Sequence, residues 1–381
     1  MATVNSDTMT KPAAGRPEDE LPPMVSTNAR IWRRFTKHKM AVVGMWILGV
    51  MYFLMIFAEF FAPYTETYED RTKSYQPPSA IHWMHEGKFV GPFIYDQVEE
   101  FNPETLLSEY IEDRTTPYRI TLFAKGPEYK MWGLVPSNLH FFGVEGDKAR
   151  LFLFGSDQAG RDILSRLLYG ARVSLTVGIM AIAIVIPLGM LIGGIAGYFG
   201  GWIDNVLMRI VEALMAFPSF YLLLALFGVT YHWDITPTQR YFVITAILAM
   251  LGWTSLSRVI RGMVLSLKQQ EYVEASRAAG ASHLWVIVKH ILPQTASWVI
   301  VSVSLMVPSY ILGESALSML GLGVQQPAAS WGNMLEEARS LASLSLHPWL
   351  LAPGFVIVAT VVAFNFFGDG LRDAFDSKKR V

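Results

Sequence analysis

Six apolar runs organise this chain. Residues 40–58 carry no charge between Lys39 and Glu59. Residues 173–203 carry none between Arg172 and Asp204, and 213–233 none between Glu212 and Asp234. Residues 241–257 are uncharged, with Arg258 and Arg261 just beyond. Residues 291–313 run uncharged up to Glu314. Residues 340–368 are uncharged, and the span there is expected to begin near Pro348. A bilayer core takes about 20 apolar residues per helix. The pattern therefore predicts an all-α membrane protein with six transmembrane helices. Six buried helices of a soluble protein, with so few charges, is the weaker alternative.

The polar segments set the rest of the map. Residues 1–29 are polar, lack apolar periodicity and read as a disordered tail; no signal-peptide apolar core is present. Residues 30–62 form a basic approach and the first helix. Residues 63–154 are an insert between helices 1 and 2. Residues 155–376 hold helices 2–6, including a polar loop at 268–293, and 377–381 form a second tail. Lys and Arg near helix ends mark the cytoplasmic side. Arg30, Arg33, Arg34, Lys37 and Lys39 precede helix 1. Arg258, Arg261, Lys268, Arg277 and Lys289 lie between helices 4 and 5, and Arg372, Lys378, Lys379 and Arg380 follow helix 6. With six spans all three groups fall on one side. Both termini are therefore expected in the cytoplasm, the protein multi-pass in the cytoplasmic (inner) membrane, and the insert outside. Arg161, Arg166 and Arg172, which precede helix 2, run against this count.

The insert carries nine Lys plus Arg and fourteen Asp plus Glu, a net of −5. Residues 118–123 (YRITLF) alternate as a strand does, and 151–154 are a short apolar run. A small subdomain with some strand is one reading, an ordered loop without function the other.

Composition fits a membrane protein. Of 381 residues, 52% are hydrophobic and 17% charged, against about 25% charged in soluble domains. The eleven Trp and fifteen Tyr suit interfacial belts. Cysteine is absent, which removes disulfides, Cys-ligated zinc and thiol catalysis. No G-x4-G-K-[ST] loop occurs, so the chain carries no P-loop ATPase of its own. His82-Trp-Met-His85-Glu86 lacks the H-E-x-x-H order, and no metal site is expected. No nucleophile–base–acid set stands out, and no nucleic acid is expected as a partner.

Within the spans, Gly189, Gly193, Gly197 and Gly201 recur every four residues. They place a small-residue seam along one side of helix 2. Pro187, Pro218 and Pro308 fall inside apolar runs, where proline frees a carbonyl and kinks a helix. Pro308, Glu314, Asn365 and Asp369 are candidates for the pathway or its gate. Glu314 and Asp369 lie at span edges, where reaching the interface or pairing with Arg372 or a partner is the better explanation.

The segment 271–293, EYVEASRAAGASHLWVIVKHILP, carries the most specific signal. Glu271, Tyr272, Glu274, Ala275, Ala278 and Ala279 suit a short helix with an acidic and a small face. Gly280 can take the left-handed conformation that ends it, and a second helix then begins toward Leu292 and Pro293. Glu274-Ala275-Ser276, Gly280 and Leu292-Pro293 resemble the EAA loop of ABC importer permeases, E-A-A-x3-G-x9-I-x-L-P. Ser276 stands for the third-position Ala, and His290 fills the Ile slot with Ile291 one place on. Residues 154–178 (FGSDQAGRDILSRLLYGARVSLTVG), 313–318 (GESALS), 321–335 (GLGVQQPAASWGNML) and 364–376 (FNFFGDGLRDAFD) narrow the resemblance. They look like the C-type permease subunit of oligopeptide, dipeptide and nickel importers. It covers residues 30–62 and 154–376; residues 63–154 depart from the shorter loop usual in that family.

The resemblance implies a type I ABC importer permease fold. It implies that 268–293 docks on an ATPase subunit, and that a homologous second permease, two ATP-binding subunits and an extracytoplasmic solute-binding protein complete the machine in the lipid bilayer. It implies no cofactor on this chain, ATP and Mg residing in the partner subunits, and peptides as cargo. Oligosaccharide or nickel as cargo, or a secondary transporter or channel, are the alternatives. The last needs coupling-ion residues at mid-membrane, and no span has a charge at its centre.

Overall fold

The computed structural model describes residues 26–375, apart from 104, 105, 147 and 232. The tail at 377–381, and all but the last residues of the N-terminal tail, lie outside the described residues. Residues 26–29, expected in that tail, instead start a helix. The Ser26 hydroxyl accepts the Ala29 N–H (3.3 Å), an N-cap that opens α1 (Thr27–Lys37). α1 buries Phe35 against the ring of Phe367. α2 (Lys39–Ile56) is the first span and α3 (Ala58–Phe61) its short continuation.

The second span, α4 (Ile163–Phe199), starts ten residues before the expected 173, because Asp162 caps it. Its carboxylate accepts from the Ser165 N–H (2.8 Å) and hydroxyl (2.6 Å). The third span is not one rod. α5 (Gly201–Ala216) and α6 (Ser219–Tyr231) meet at 86°. Pro218 has no N–H and drives the residue before it out of the helical region, and Phe217 is extended at φ −82°, ψ 134°. Among the described residues there are thus five candidate spans, and a sixth if the bent pair is one. Pro187 and Pro308, by contrast, lie inside helices that continue through them.

α7 (Pro237–Leu267) is the fourth span, opened by a Thr236–Gln239 capping box. α8 (Glu271–Ala278) and α9 (His283–Val286) follow. A π-turn and a 3-10 turn then lead into α10 (Ala296–Met319). Short helices α11 (Trp331–Met334) and α12 (Leu341–Leu346) precede the last span, α13 (Ala352–Phe375), whose apolar stretch begins at Pro348 as expected.

The largest helix–helix contact joins α4 and α7. A Cβ on Gly189 would meet the Leu256 side chain at 2.7 Å, one on Gly193 the Ser257 carbonyl at 2.4 Å, and one on Gly197 the Arg261 carbonyl at 2.7 Å. The rising register shows that the two helices run parallel. Gly201 does not share this seam. Gly200 and Gly201 both have positive φ, α4 ends at Phe199 just before them, and a Cβ on Gly201 would touch nothing within 4 Å. Elsewhere on α4, Gly178 closely approaches Val307 of α10, and Gly194 faces Ile287 and Leu292.

The insert is a four-stranded antiparallel sheet in the order β1 (His82–His85), β2 (Lys88–Asn102), β3 (Leu107–Met131), β4 (Val135–Val144). β3 pairs with β2 through 107–119 and with β4 through 120–131. The expected strand at 118–123 lies within it. The run 151–154 is not strand; Leu151 and Phe152 are buried under the sheet and its root.

The arginines that ran against the charge count root this insert. Arg172 pairs with Glu59 and donates to the Met55 carbonyl (3.2 Å). Burial pushes the Glu59 carboxyl up, but the hydrogen bonds and charge of Arg172 and the backbone bonds outweigh it, leaving it below the usual range. Arg161 pairs with Asp157 (2.7 Å) and bonds Gln326; Arg166 reaches Asp157 (3.5 Å) and the Pro327 carbonyl (3.4 Å). The Ala329 N–H donates to Glu66 (2.9 Å), so the segment before α11 is clamped to the same root.

The seam predicts a contrast. Gly193→Val must push α7 away, and overpacking of this kind costs about 1–3 kcal/mol. At Gly262 nothing lies within 4 Å, so Gly262→Ala should melt like the parent. Thermal melts of the purified chain in detergent read both. Equal midpoints for the two variants would mean the α4–α7 contact is not limiting.

Candidate functional site

At the end of the bundle away from the sheet, the chain between α7 and α10 turns twice. α4 begins at the insert's root and spans about 55 Å at 1.5 Å per residue. α7 runs parallel to it, so α8 and α9 emerge at the far end. Glu271 and Glu274 occupy the first turn of α8 and Arg277 the last, charges that suit the helix dipole.

α8 ends in a complete Schellman motif. The Gly280 N–H donates to the Arg277 carbonyl (2.9 Å) and the Ala281 N–H to the Ser276 carbonyl (3.2 Å). Gly280 has φ +84° with open space around it. The requirement for glycine there is conformational rather than steric.

The exposed face of α8 carries Glu271, Glu274, Ala275 and Ala278, spaced as one helical face; Ala279 is exposed beside it and Ser276 half-buried. Val273, on the opposite side, is fully buried. Tyr272 on α8, Leu284 and Trp285 on α9, and Val288 just after it are exposed large side chains. Leu292 is buried against Gly194 of α4, whereas Pro293 is exposed.

Two polar ties fasten the loop to the bundle and a third joins α7 to α5, and sequence reading did not assign them. Lys268 donates to the carbonyls of Gly197 (2.8 Å) and Tyr198 (3.3 Å), capping the end of α4. The Tyr198 hydroxyl meets Nδ1 of His283 at 2.9 Å. Arg261 forms a two-armed pair with Asp204 of α5. Lys268 was visible only as a topogenic charge. Nothing local in the sequence marks Tyr198 or His283, because their contact exists only once α4 and α9 are brought together.

The remaining candidates do not join this site. Pro308 is buried in α10. Glu314 is not at an edge reaching for the interface or for Arg372. It is fully buried, bonded by the hydroxyls of Ser318 (2.7 Å), Ser174 (3.2 Å) and Ser315 (3.4 Å). Ser174 also accepts the Trp331 N–H (3.1 Å), so Glu314 sits where α4, α10 and α11 converge. Asn365 and Asp369 lie one turn apart on the exposed side of α13. His82 and His85 meet Glu112 and Tyr95, each at 2.9 Å, rather than each other.

Residues 163–381 match the family model described as binding-protein-dependent transport system inner membrane component. The chain belongs to that family. Residues 26–78 match the N-terminal TM domain of oligopeptide transport permease C. The dipeptide transport system permease protein DppC of Bacillus subtilis is 34% identical over 362 residues, 94% of this chain and 88% of that one. The oligopeptide transport system permease protein OppC of Haemophilus influenzae is 43% identical over 231 residues, 60% of this chain and 70% of that one. The solved structure of the methionine ABC transporter MetNI, inward facing, aligns with a TM-score of 0.41 at 17% identity, over 56% of this chain and 95% of that one. The assignment rests on the sequence matches. The chain is thus a permease component of an ABC transporter, set in a membrane by its apolar helices.

For this permease the loop makes a sharp prediction. Valine resists positive φ, so Gly280→Val should add about 1–3 kcal/mol of local strain and redirect α8. Glu274→Lys reverses a charge on its exposed face. Both variants should insert normally, Gly280→Val melting below the parent and Glu274→Lys like it, and both are expected to retain ATP-binding subunits poorly in a pull-down. Full retention by both would remove the loop from the interface.

Proposed function

We propose that this chain is one of two permease subunits of an ATP-driven importer that moves oligopeptides or dipeptides inward across the cytoplasmic membrane. The observation that carries this reading is its likeness, along 94% of its length, to a dipeptide permease. The exposed α8–α9 face supports it from the other side, because a chain without a P-loop needs a surface through which hydrolysis elsewhere acts on it. In this reading α8, both termini and the basic flanks lie in the cytoplasm. Two ATP-binding subunits holding ATP and Mg dock there. A homologous second permease completes the pathway, and a solute-binding protein delivers cargo on the insert's side. ATP-driven closure of the ATPases moves the two loops together, and the ties from Lys268 and His283 carry that motion into α4. This chain supplies positioning and a path, with no covalent chemistry.

Proteoliposomes holding the full complex, given ATP and Mg, should accumulate labelled di- or oligopeptide. Uptake of nickel or an oligosaccharide instead of peptide would overturn the cargo. ATP hydrolysis by the isolated chain would overturn the division of labour. Orientation has its own readout, since the chain has no cysteine. Ser108→Cys, exposed near the start of β3, should be labelled only by an impermeant reagent applied from outside.

A further inference from the structure

A cavity of about 460 Å³ opens at the root of the insert. It lies between the chain leaving α3, the β3–β4 pair and the segment returning at 149–151. Its volume falls within the range of small-ligand sites, about 300–1,000 Å³. Its chemistry runs opposite to its surroundings. The insert carries a net −5, yet among the described residues no Asp or Glu lines the cavity. Arg150, Lys125, His140, Tyr64 and Tyr68 do.

Two of the basic groups, Arg150 and Lys125, have donor capacity to spare. Nε of Arg150 is buried without a hydrogen-bond partner. It forms an ion pair with Asp70 at 3.6 Å, too long for a hydrogen bond, and the facing oxygen of that carboxylate already accepts from the Tyr68 hydroxyl (3.4 Å). A buried unpaired donor is costly, and an incoming acceptor relieves it. Lys125 is exposed and forms no ion pair with any described residue. His140 is almost fully buried, with its ring nitrogens 2.6 Å from the Ala62 carbonyl and 3.0 Å from the Pro127 carbonyl. Gly126 is required here: a Cβ would lie 2.6 Å from that ring.

Position narrows the ligand. Pro63 and Tyr64 follow within three residues of the end of α3. The rings of Phe60, Phe61, Phe123 and Phe141 pack together beside them, and Trp132 donates to the last turn of the first span (2.8 Å). Such aromatic belts sit at headgroup level. Arg and Lys at that depth complement an oxyanion, Arg through its two-pronged geometry.

We propose that this cavity binds a phosphate group, supplied by an anionic phospholipid headgroup or by free phosphate. The test uses the full chain in detergent and three variants: Lys125→Gln, Arg150→Gln and Arg150→Lys. Lys125 is exposed and unpaired, so its variant leaves the fold intact. The probes are phosphatidylcholine vesicles, the same vesicles with part of the lipid replaced by phosphatidylglycerol, and inorganic phosphate alone. The readouts are phospholipid retained after purification and the shift in unfolding midpoint. Phosphatidylglycerol should be retained and should stabilise the parent. Lys125→Gln should bind about tenfold more weakly, the loss of one charged contact, and Arg150→Lys should recover part of what Arg150→Gln loses. A shift with phosphatidylglycerol alone assigns the site to lipid; an equal shift with inorganic phosphate assigns it to the free anion. Retention and shifts identical in the parent and all three variants would overturn the proposal.

Discussion

α4 and α7 approach one another more closely than any side chain allows, and much of the molecule is placed by that contact. Gly189, Gly193 and Gly197 remove the side chains from one face of α4, so the carbonyls of Ser257 and Arg261 sit where a Cβ would be. In a bilayer, where apolar surface gains nothing by leaving lipid, close backbone packing of this kind is a main source of helix association. Because the two helices run parallel, the start of α7 stays beside the insert's root and its end is delivered to the end of α4. There Lys268 can reach the last carbonyls of α4. The loop that follows starts from a fixed point, and Ile287 and Leu292 close it against Gly194 of the same helix.

A second constraint is the treatment of charge near the membrane. Arg161, Arg166 and Arg172 would be topogenic if they were free. Each is instead turned inward onto Asp157, Glu59 or backbone carbonyls. A charge count along the sequence weighs them like exposed residues, which is why they ran against the other flanks. In the folded chain they bind the insert, the start of α4 and the segment before α11 into one block. Glu314 follows a related rule without a cation. Three serine hydroxyls donate to it, since a buried carboxyl group must have its hydrogen bonds met.

Most of the helical architecture was legible because span length and hydropathy are local properties. The beginning of α4 was not, since its first turns carry Arg166 and Arg172, whose partners lie far away in sequence. The 86° break in the third span follows from Pro218, but the sequence offers Pro187 and Pro308 as equal candidates. Those two are absorbed by continuous helices, so proline alone does not tell a kink from a break. The four-residue glycine spacing identified three members of a real seam and then overran a helix end at Gly201, while Gly194, off the spacing, was passed over. The helix–turn–helix form of residues 271–293 was readable from Gly280. Its ties through Tyr198 and His283 were not, being products of tertiary contact. The sheet was only partly readable, because β3 is long, shared between two partners and broken by bulges, which blurs its alternation.

Both ends of the molecule are fastened to the same helix. At the start of α4 the Ser165 hydroxyl accepts the Tyr64 N–H of the insert's root (3.2 Å). At its end the Tyr198 hydroxyl holds His283 of α9. Between them α4 is unbroken across Pro187. A displacement of the far loop therefore cannot be absorbed locally. The Schellman turn fixes α8 relative to α9, His283 fixes α9 to α4, and Lys268 prevents α7 from sliding past α4. Motion must be passed on as tilt of the α4–α7 pair or accommodated where the chain is already broken, at Phe217. That bend lies between α5, held to α7 by Asp204 and Arg261, and α6, which has no such ion pair among the described residues. The break at residues 217–218 thus separates a part of the bundle tied by charge and close backbone packing from α6, which is held only by apolar burial of Leu223 and Phe227 in the common core.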